Sequence, residues 1–256
     1  MESIWEAALL GLIQGLTEFL PVSSSGHLAL GQILLGWEDP EANLAFNVAV
    51  HVGSLLAVLV FVRREIVDML TRHPRVIVTL VVATLPVALV GPWAKALVEG
   101  LSTSALAVGI LLLCTAGILL LVRRSDGGEQ TIRTLPFGRA LMIGVAQCLA
   151  ILPGISRSGT TLAAGLKTGL DKESAVRFAF LMAAPAIAGA GLIMTLKGDW
   201  SNGGLPHLSL AVGTLVSFLF SLMAMKVMVA VVARRRLGWF AAYCALLGVA
   251  AIVFGA

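Results

Sequence analysis

Gly11-Leu-Ile-Gln-Gly-Leu-Thr-Glu-Phe-Leu-Pro-Val-Ser-Ser-Ser-Gly-His27 is an apolar run that stops at Pro21 and restarts at a serine triplet. The chain repeats the device in its second half, as Gly144-Val-Ala-Gln-Cys-Leu-Ala-Ile-Leu-Pro-Gly-Ile-Ser-Arg-Ser-Gly-Thr160. At a constant offset of 133 residues, Gly11/Gly144, Gln14/Gln147, Leu16/Leu149, Ser23/Ser156, Ser25/Ser158 and Gly26/Gly159 coincide, with Pro21 and Pro153 one residue out of register. An apolar helix broken by Pro, Ser and Gly once in each half points to a mid-membrane site built by two repeats. The broken segments also carry Glu18, His27 and Arg157, a set suited to chemistry on an anion.

Composition agrees with a membrane setting. Hydrophobic residues make up 58% of the chain and charged ones 12%, and the mean hydropathy is +0.96. Those values exclude an ordinary soluble domain and predict an all-α polytopic membrane protein. The net charge of +4 does not indicate nucleic acid, because Lys and Arg sit in short blocks between apolar runs, as orientation signals do. Cys114, Cys148 and Cys244 lie singly in apolar segments without ligand-like spacing, which predicts core positions with no disulfide and no zinc. Met1-Glu-Ser lacks the basic start of a secretory signal, so the first apolar segment is expected to stay in the mature protein.

A full span needs about 20 apolar residues. Runs of that order are 44–62, 76–93, 105–122, 174–196, 208–233 and 238–255. Segments 4–36 and 137–169 are each two shorter helical pieces around a Pro/Ser/Gly turn, which predicts re-entrant hairpins whose turns are enclosed by protein or by a water-filled cavity. The expected architecture is one membrane domain, 1–256, of six transmembrane helices plus two re-entrant hairpins. It divides into two inverted-topology repeats, 4–123 and 137–256. Arg63, Arg64, Arg72 and Arg75 form one basic group and Arg123, Arg124, Arg133 and Arg139 a second. Lys167, Lys172 and Arg177 form a third, and Arg234 to Arg236 a fourth. Placing all four in the cytoplasm satisfies the positive-inside rule. The opposite loops are poor in cations: 37–43 holds Glu38, Asp39 and Glu41, while 94–104 and 197–207 have one Lys each. The first hairpin then enters from outside and the second from the cytoplasm, so the two Ser-Gly turns can meet near the midplane.

Gln14 and Glu18 are four apart and share a helix face. An ionisable residue at that depth is a functional candidate by default, and a carboxylate beside an amide oxygen can hold a hard divalent cation or act as a base. The plainer reading pairs Glu18 with an Arg to hold helices together. Ser23, Ser24 and Ser25 follow Pro21 and open a new helix, where they can serve as N-caps or, with Gly26 and the free amides, as an anion site. A Ser hydroxyl needs an adjacent base to be a nucleophile, and both Glu18 and His27 are near in sequence. Arg157, flanked by Ser156 and Ser158 and followed by Gly159, Thr160 and Thr161, can hold phosphate oxygens or pair with Glu18. Asn47 and His51 give the third segment a polar stripe that reads more as packing than catalysis, and Lys226 either snorkels or lines a cavity. Pro86 and Pro185 predict kinks in spans.

At Gln14-Gly-Leu-Thr-Glu-Phe-Leu-Pro-Val-Ser-Ser-Ser-Gly-His27 and Pro153-Gly-Ile-Ser-Arg-Ser-Gly159 the chain resembles the bacitracin-resistance family of undecaprenyl-diphosphate phosphatases, over essentially its whole length. Gln14 is an accepted variant of that family's first motif glutamate and leaves Glu18 as the motif's sole carboxylate; Ser25 stands where some members have Thr. The resemblance implies removal of the terminal phosphate from a polyprenyl diphosphate, regenerating the monophosphate carrier lipid for envelope glycans. It also implies a divalent cation (Mg2+ or Ca2+), for which Gln14 and Glu18 are the candidate ligands, and a multi-pass protein of the bacterial plasma membrane opening to the outer face. By resemblance Ser24 is the nucleophile, with Glu18 and His27 beside it and Arg157 on the phosphates; the residues equally allow Ser24 to position a water that Glu18 or His27 activates. Ser23, Ser25, Gly26, Ser156, Ser158, Gly159 and Thr160 complete the binding turns.

Type 2 phosphatidic acid phosphatases also use Ser-Gly-His and Ser-Arg, but need a further His soon after the Ser-Arg, and none occurs here before His207. No Gly-x-x-x-x-Gly-Lys-Ser/Thr loop supports ATP-driven transport. The competing reading is a secondary transporter or flippase of a phosphorylated lipid or other anion, since inverted repeats with broken helices are also that class's signature. The partners expected are the lipid diphosphate and membrane lipids; such folds often dimerise, and the sequence specifies no interface.

Overall fold

A computed structural model describes residues 3–37, 39–94, 98, 100–101, 104–197 and 204–254. Among them are eleven α-helices: α1 (Ile4–Phe19), α2 (Ser24–Leu34), α3 (Pro40–Phe61), α4 (Arg63–Thr71), α5 (Arg75–Val90), α6 (Ala105–Val122), α7 (Phe137–Leu149), α8 (Arg157–Lys167), α9 (Lys172–Lys197), α10 (His207–Ala233) and α11 (Leu237–Phe254). Six of these, α3, α5, α6, α9, α10 and α11, are long and apolar enough to cross a membrane, and each falls on one of the expected runs. Pro86 and Pro185 lie inside α5 and α9. No strand occurs among the described residues; two isolated bridges, Gly127 to Asp171 and Gln130 to Leu170, clip the α6–α7 loop to the α8–α9 turn.

Both broken segments form helix–turn–helix pairs. α1 starts on a capping box, in which Ser3 Oγ accepts from the Glu6 amide at 3.2 Å and the Glu6 carboxylate accepts from the Ser3 amide at 3.0 Å. It stops because Pro21 forces Leu20 into extended backbone, with φ −79° and ψ 150°. α7 and α8 are joined through Pro153 and Gly154, whose φ of +107° lies where a side chain is strained.

Helix α1 is pressed against α10. A Cβ at Gly11 would lie 2.5 Å from the Gly213 carbonyl oxygen, and one at Gly15 2.6 Å from that of Ser217. Small residues at such crossings let backbones approach, and hydrogen bonds then hold them. Here Ser221 donates to Ser54 at 3.0 Å, and Ser217 donates to the Val50 carbonyl at 2.7 Å, tying α10 to α3. Gly144, the repeat counterpart of Gly11, meets the Ala83 backbone of α5 in the same way. Gly15→Leu is therefore expected to cost about 1–3 kcal/mol by overpacking; an unchanged thermal midpoint in detergent would show that α1 can move off α10.

The four basic groups share one face and are tied to one another. Arg75 donates to the carbonyls of Arg133 at 2.7 Å and Leu135 at 3.2 Å, and Arg133 pairs with Asp68 at 2.9 Å. Asp126 pairs with Lys172 at 3.2 Å and with Arg235, and Arg177 with Glu65. Of the cation-poor loops, Glu38, Lys95 and residues 198–203 lie outside the described residues. Helix α4 was not anticipated: a nine-residue helix with Val67 and Leu70 exposed, hidden in what reads as a charged loop. Cys244 is buried as expected and Cys148 half-buried, but Cys114 faces outward, where a thiol is compatible with lipid contact; all three are free.

Candidate active site

The two turns meet, and each completes the other. Ser23 Oγ accepts from the Gly154 amide at 3.2 Å, and Ser158 Oγ donates to the Leu20 carbonyl at 2.9 Å. Thr115 of α6 fixes the second turn from behind, donating to the Gly154 carbonyl at 2.8 Å and accepting from the Ser156 amide at 3.0 Å. The expected serine caps divide between the turns. Ser156 caps α8 by accepting from the Gly159 amide at 3.2 Å, and its hydroxyl lies 3.1 Å from that of Ser158. Ser23, held at φ +70°, makes no side-chain cap, so its hydroxyl is spent on the other turn and the first-turn amides of α2 around Ser25 and Gly26 stay uncapped.

Glu18 is the centre of the cluster and is buried. Its Oε2 accepts from Ser24 Oγ at 2.6 Å and from Gln14 Nε2 at 2.9 Å, and its Oε1 is held by Nη2 of Arg157 from the opposite turn. Of the two sequence readings of Arg157, the pairing with Glu18 is the one seen: Nη2 is committed to Glu18, whereas Nη1 is buried without a partner. Thr160 Oγ1 is likewise buried and unpartnered. Ser24 is half-buried and Ser25 exposed, so the cluster opens at the serine edge.

His27 does not touch Ser24. Its Nδ1 lies 2.8 Å from the Ser23 carbonyl, which can only accept, so Nδ1 carries the proton and Nε2 accepts from the Tyr243 hydroxyl at 2.7 Å. The ring also stacks on Tyr243, with centroids 5.6 Å apart. Asn47 serves packing, accepting from Gln32 at 2.9 Å, but His51 does more than the polar stripe suggested. Its Nδ1 is bonded to the Asn47 carbonyl at 2.7 Å, which turns Nε2 toward Glu18 Oε2, 3.8 Å away.

Sequence reasoning therefore missed two site residues, His51 and Tyr243. The signal for His51 was present, a titratable group four residues from Asn47 in an apolar helix; for Tyr243 it was slight, a lone tyrosine in α11. Among the described residues no group of three or more His, Cys, Asp and Glu side chains could hold a metal ion. Chemically, the cluster sets a hydroxyl on a carboxylate, beside a guanidinium with a free nitrogen and an uncapped helix start. That arrangement suits attack on a phosphate group.

Comparison with known proteins agrees. The family model described as bacitracin resistance protein BacA matches residues 7–250. The chain is 41% identical to an undecaprenyl-diphosphatase of Bacteroides fragilis over 97% of each chain. It is 40% identical to one of Desulforudis audaxviator, again over 97% of each, and 37% identical to one of Desulforapulum autotrophicum over 98% of each.

Proposed function

We propose that this chain, which belongs to the bacitracin resistance protein BacA family, removes the terminal phosphate of undecaprenyl diphosphate at the Glu18–Ser24–Arg157 cluster. The observation that carries the assignment is the Ser24 hydroxyl donating at 2.6 Å to a carboxylate whose other oxygen is held from the opposite turn. A hydroxyl in that setting is an activated nucleophile.

In the proposed reaction Ser24 Oγ attacks the terminal phosphorus and passes its proton to Glu18 Oε2. The bond from phosphorus to the bridging oxygen breaks, and the lipid monophosphate leaves with that oxygen. Water then hydrolyses the phosphoserine, giving inorganic phosphate and restoring Ser24. Arg157 Nη1, the uncapped amides at the start of α2 and the Thr160 hydroxyl are placed for the non-bridging oxygens, where charge develops. His27 holds the serine turn through the Ser23 carbonyl and is itself fixed by Tyr243.

The residues fit a divalent cation only as a partial set. Gln14 Oε1 is buried with no partner, and His51 Nε2 lies 3.8 Å from Glu18 Oε2. Those two atoms and Glu18 would hold the ion, with diphosphate oxygens completing its shell. Bound there, it would neutralise phosphate charge. The basic face is assigned to the cytoplasm of a bacterial plasma membrane, with the paired turns as re-entrant hairpins of inverted repeats and the serine edge facing outward.

Phosphate release from undecaprenyl diphosphate by the purified chain tests the proposal. Activity is expected to fall at least about tenfold with chelator and to return with added Mg2+ or Ca2+. Full activity in excess chelator would remove the cation from the site.

A further inference from the structure

We propose that the arginine-rich face carries a second site, which binds the phosphate headgroup of a net-anionic phospholipid. It lies in a cavity of about 470 Å3 where the end of α3, the start of α4 and the last turns of α10 converge. Phe61 at its wall is ten residues beyond His51 along α3, about 15 Å at a helix's rise per residue, so the cavity is separate from the Glu18 cluster.

Its charge is unbalanced. Glu65 is the sole carboxylate in the lining, and it is already paired with Arg177, which also bonds Glu173 at 2.9 Å. Three cations remain without a counter-charge. Arg63 has only one nitrogen committed, donating to the Val60 carbonyl at 2.8 Å, while Arg64 and Lys226 are exposed and have no partner among the described residues. Two guanidinium groups and an ammonium around a concavity match a phosphate.

Lys226 is the telling member. It sits seven residues inside the end of α10, in an otherwise apolar stretch, where a charge is costly and marks a candidate site. The positive-inside rule explains basic loops, but neither this lysine nor the concavity. Phe61 and Leu222 give the pocket an apolar wall, as an acyl chain needs and a soluble anion does not. Beside it, α4 exposes Val67 and Leu70 between Arg63 and Arg64 at its start and the C-cap Arg72, as helices lying in a lipid interface do. The cytoplasmic assignment above places the pocket in the leaflet rich in anionic headgroups.

Native mass spectrometry of the full chain in detergent, titrated with dioleoylphosphatidylglycerol or dioleoylphosphatidylcholine, tests this independently of activity. The wild type is expected to retain the glycerol lipid and not the choline lipid. Arg64→Gln with Lys226→Gln should weaken that retention by roughly tenfold or more. Arg64→Lys with Lys226→Arg should preserve it, as should Arg123→Gln with Arg124→Gln, which removes equal charge from the same face outside the cavity. Equal loss in the outer pair, or undiminished retention in the first, would overturn the site. Displacement by inorganic phosphate would overturn the lipid assignment and leave a free-anion site.

Discussion

Arg157→Ala is expected to lower kcat/KM for undecaprenyl diphosphate by at least about a thousandfold, the scale of an arginine acting on a transferring phosphoryl group. Two losses combine. The first is the free Nη1, the guanidinium nitrogen available to the substrate. The second is the partner of Glu18, whose side chain is 5% exposed against 17% for Arg157, so the pair is poorly screened by solvent. Breaking a buried pair on one side typically costs about 3–5 kcal/mol because the remaining charge is stranded. Arg157→Lys separates the two effects. A lysine can answer Glu18 with its single ammonium but cannot reach both ways, so the thermal midpoint should recover more than the activity does. Wild-type kcat/KM in the alanine variant would sink the assignment.

Ser24→Ala is the sharper test of chemistry, and its expected loss of turnover is again roughly a thousandfold or more, as for removal of a nucleophile. The fold should hardly notice. Ser24 is half-buried, and its hydroxyl is bonded only to Glu18, which keeps Gln14 and Arg157. Substrate affinity should therefore stay within a few-fold of wild type while turnover collapses. Acid-quenched wild-type enzyme should carry phosphate on Ser24. Turnover within about tenfold of wild type, with no phosphoserine, would make the attacking group a water held on Glu18.

The readable part of this molecule was whatever local pattern controls. Twenty-residue apolar runs gave the six long helices, and Pro21, Pro153 and Gly154 marked the breaks, because Pro disfavours helix at the residue before it and Gly154 takes a left-handed φ. Glu18 and Ser24 were legible as neighbours since only six residues separate them. What stayed hidden was pairing across the chain. Nothing near Ser23 says that its hydroxyl belongs to Gly154, 131 residues on, instead of capping its own helix. Nothing near His27 points to Tyr243, 216 residues away. His51 was discounted because a polar stripe on a span is usually packing, and only the crossing of α3 past the first turn sets its ring against Glu18. Helix α4 was missed for a different reason: its length is too short for periodicity to separate it from a charged loop.

The meeting of the two turns also gives the enzyme a direction. At the repeat offset, Glu18 corresponds to Ile151 and His27 to Thr160, so the second turn lacks the acid and the imidazole of the first. The cluster thus draws its hydroxyl and carboxylate from one half of the chain and its guanidinium from the other. On the proposed chemistry, a diphosphate arriving in the mirrored orientation would find Ile151 where the proton acceptor Glu18 should stand. The fold looks two-faced, but its chemistry serves one side.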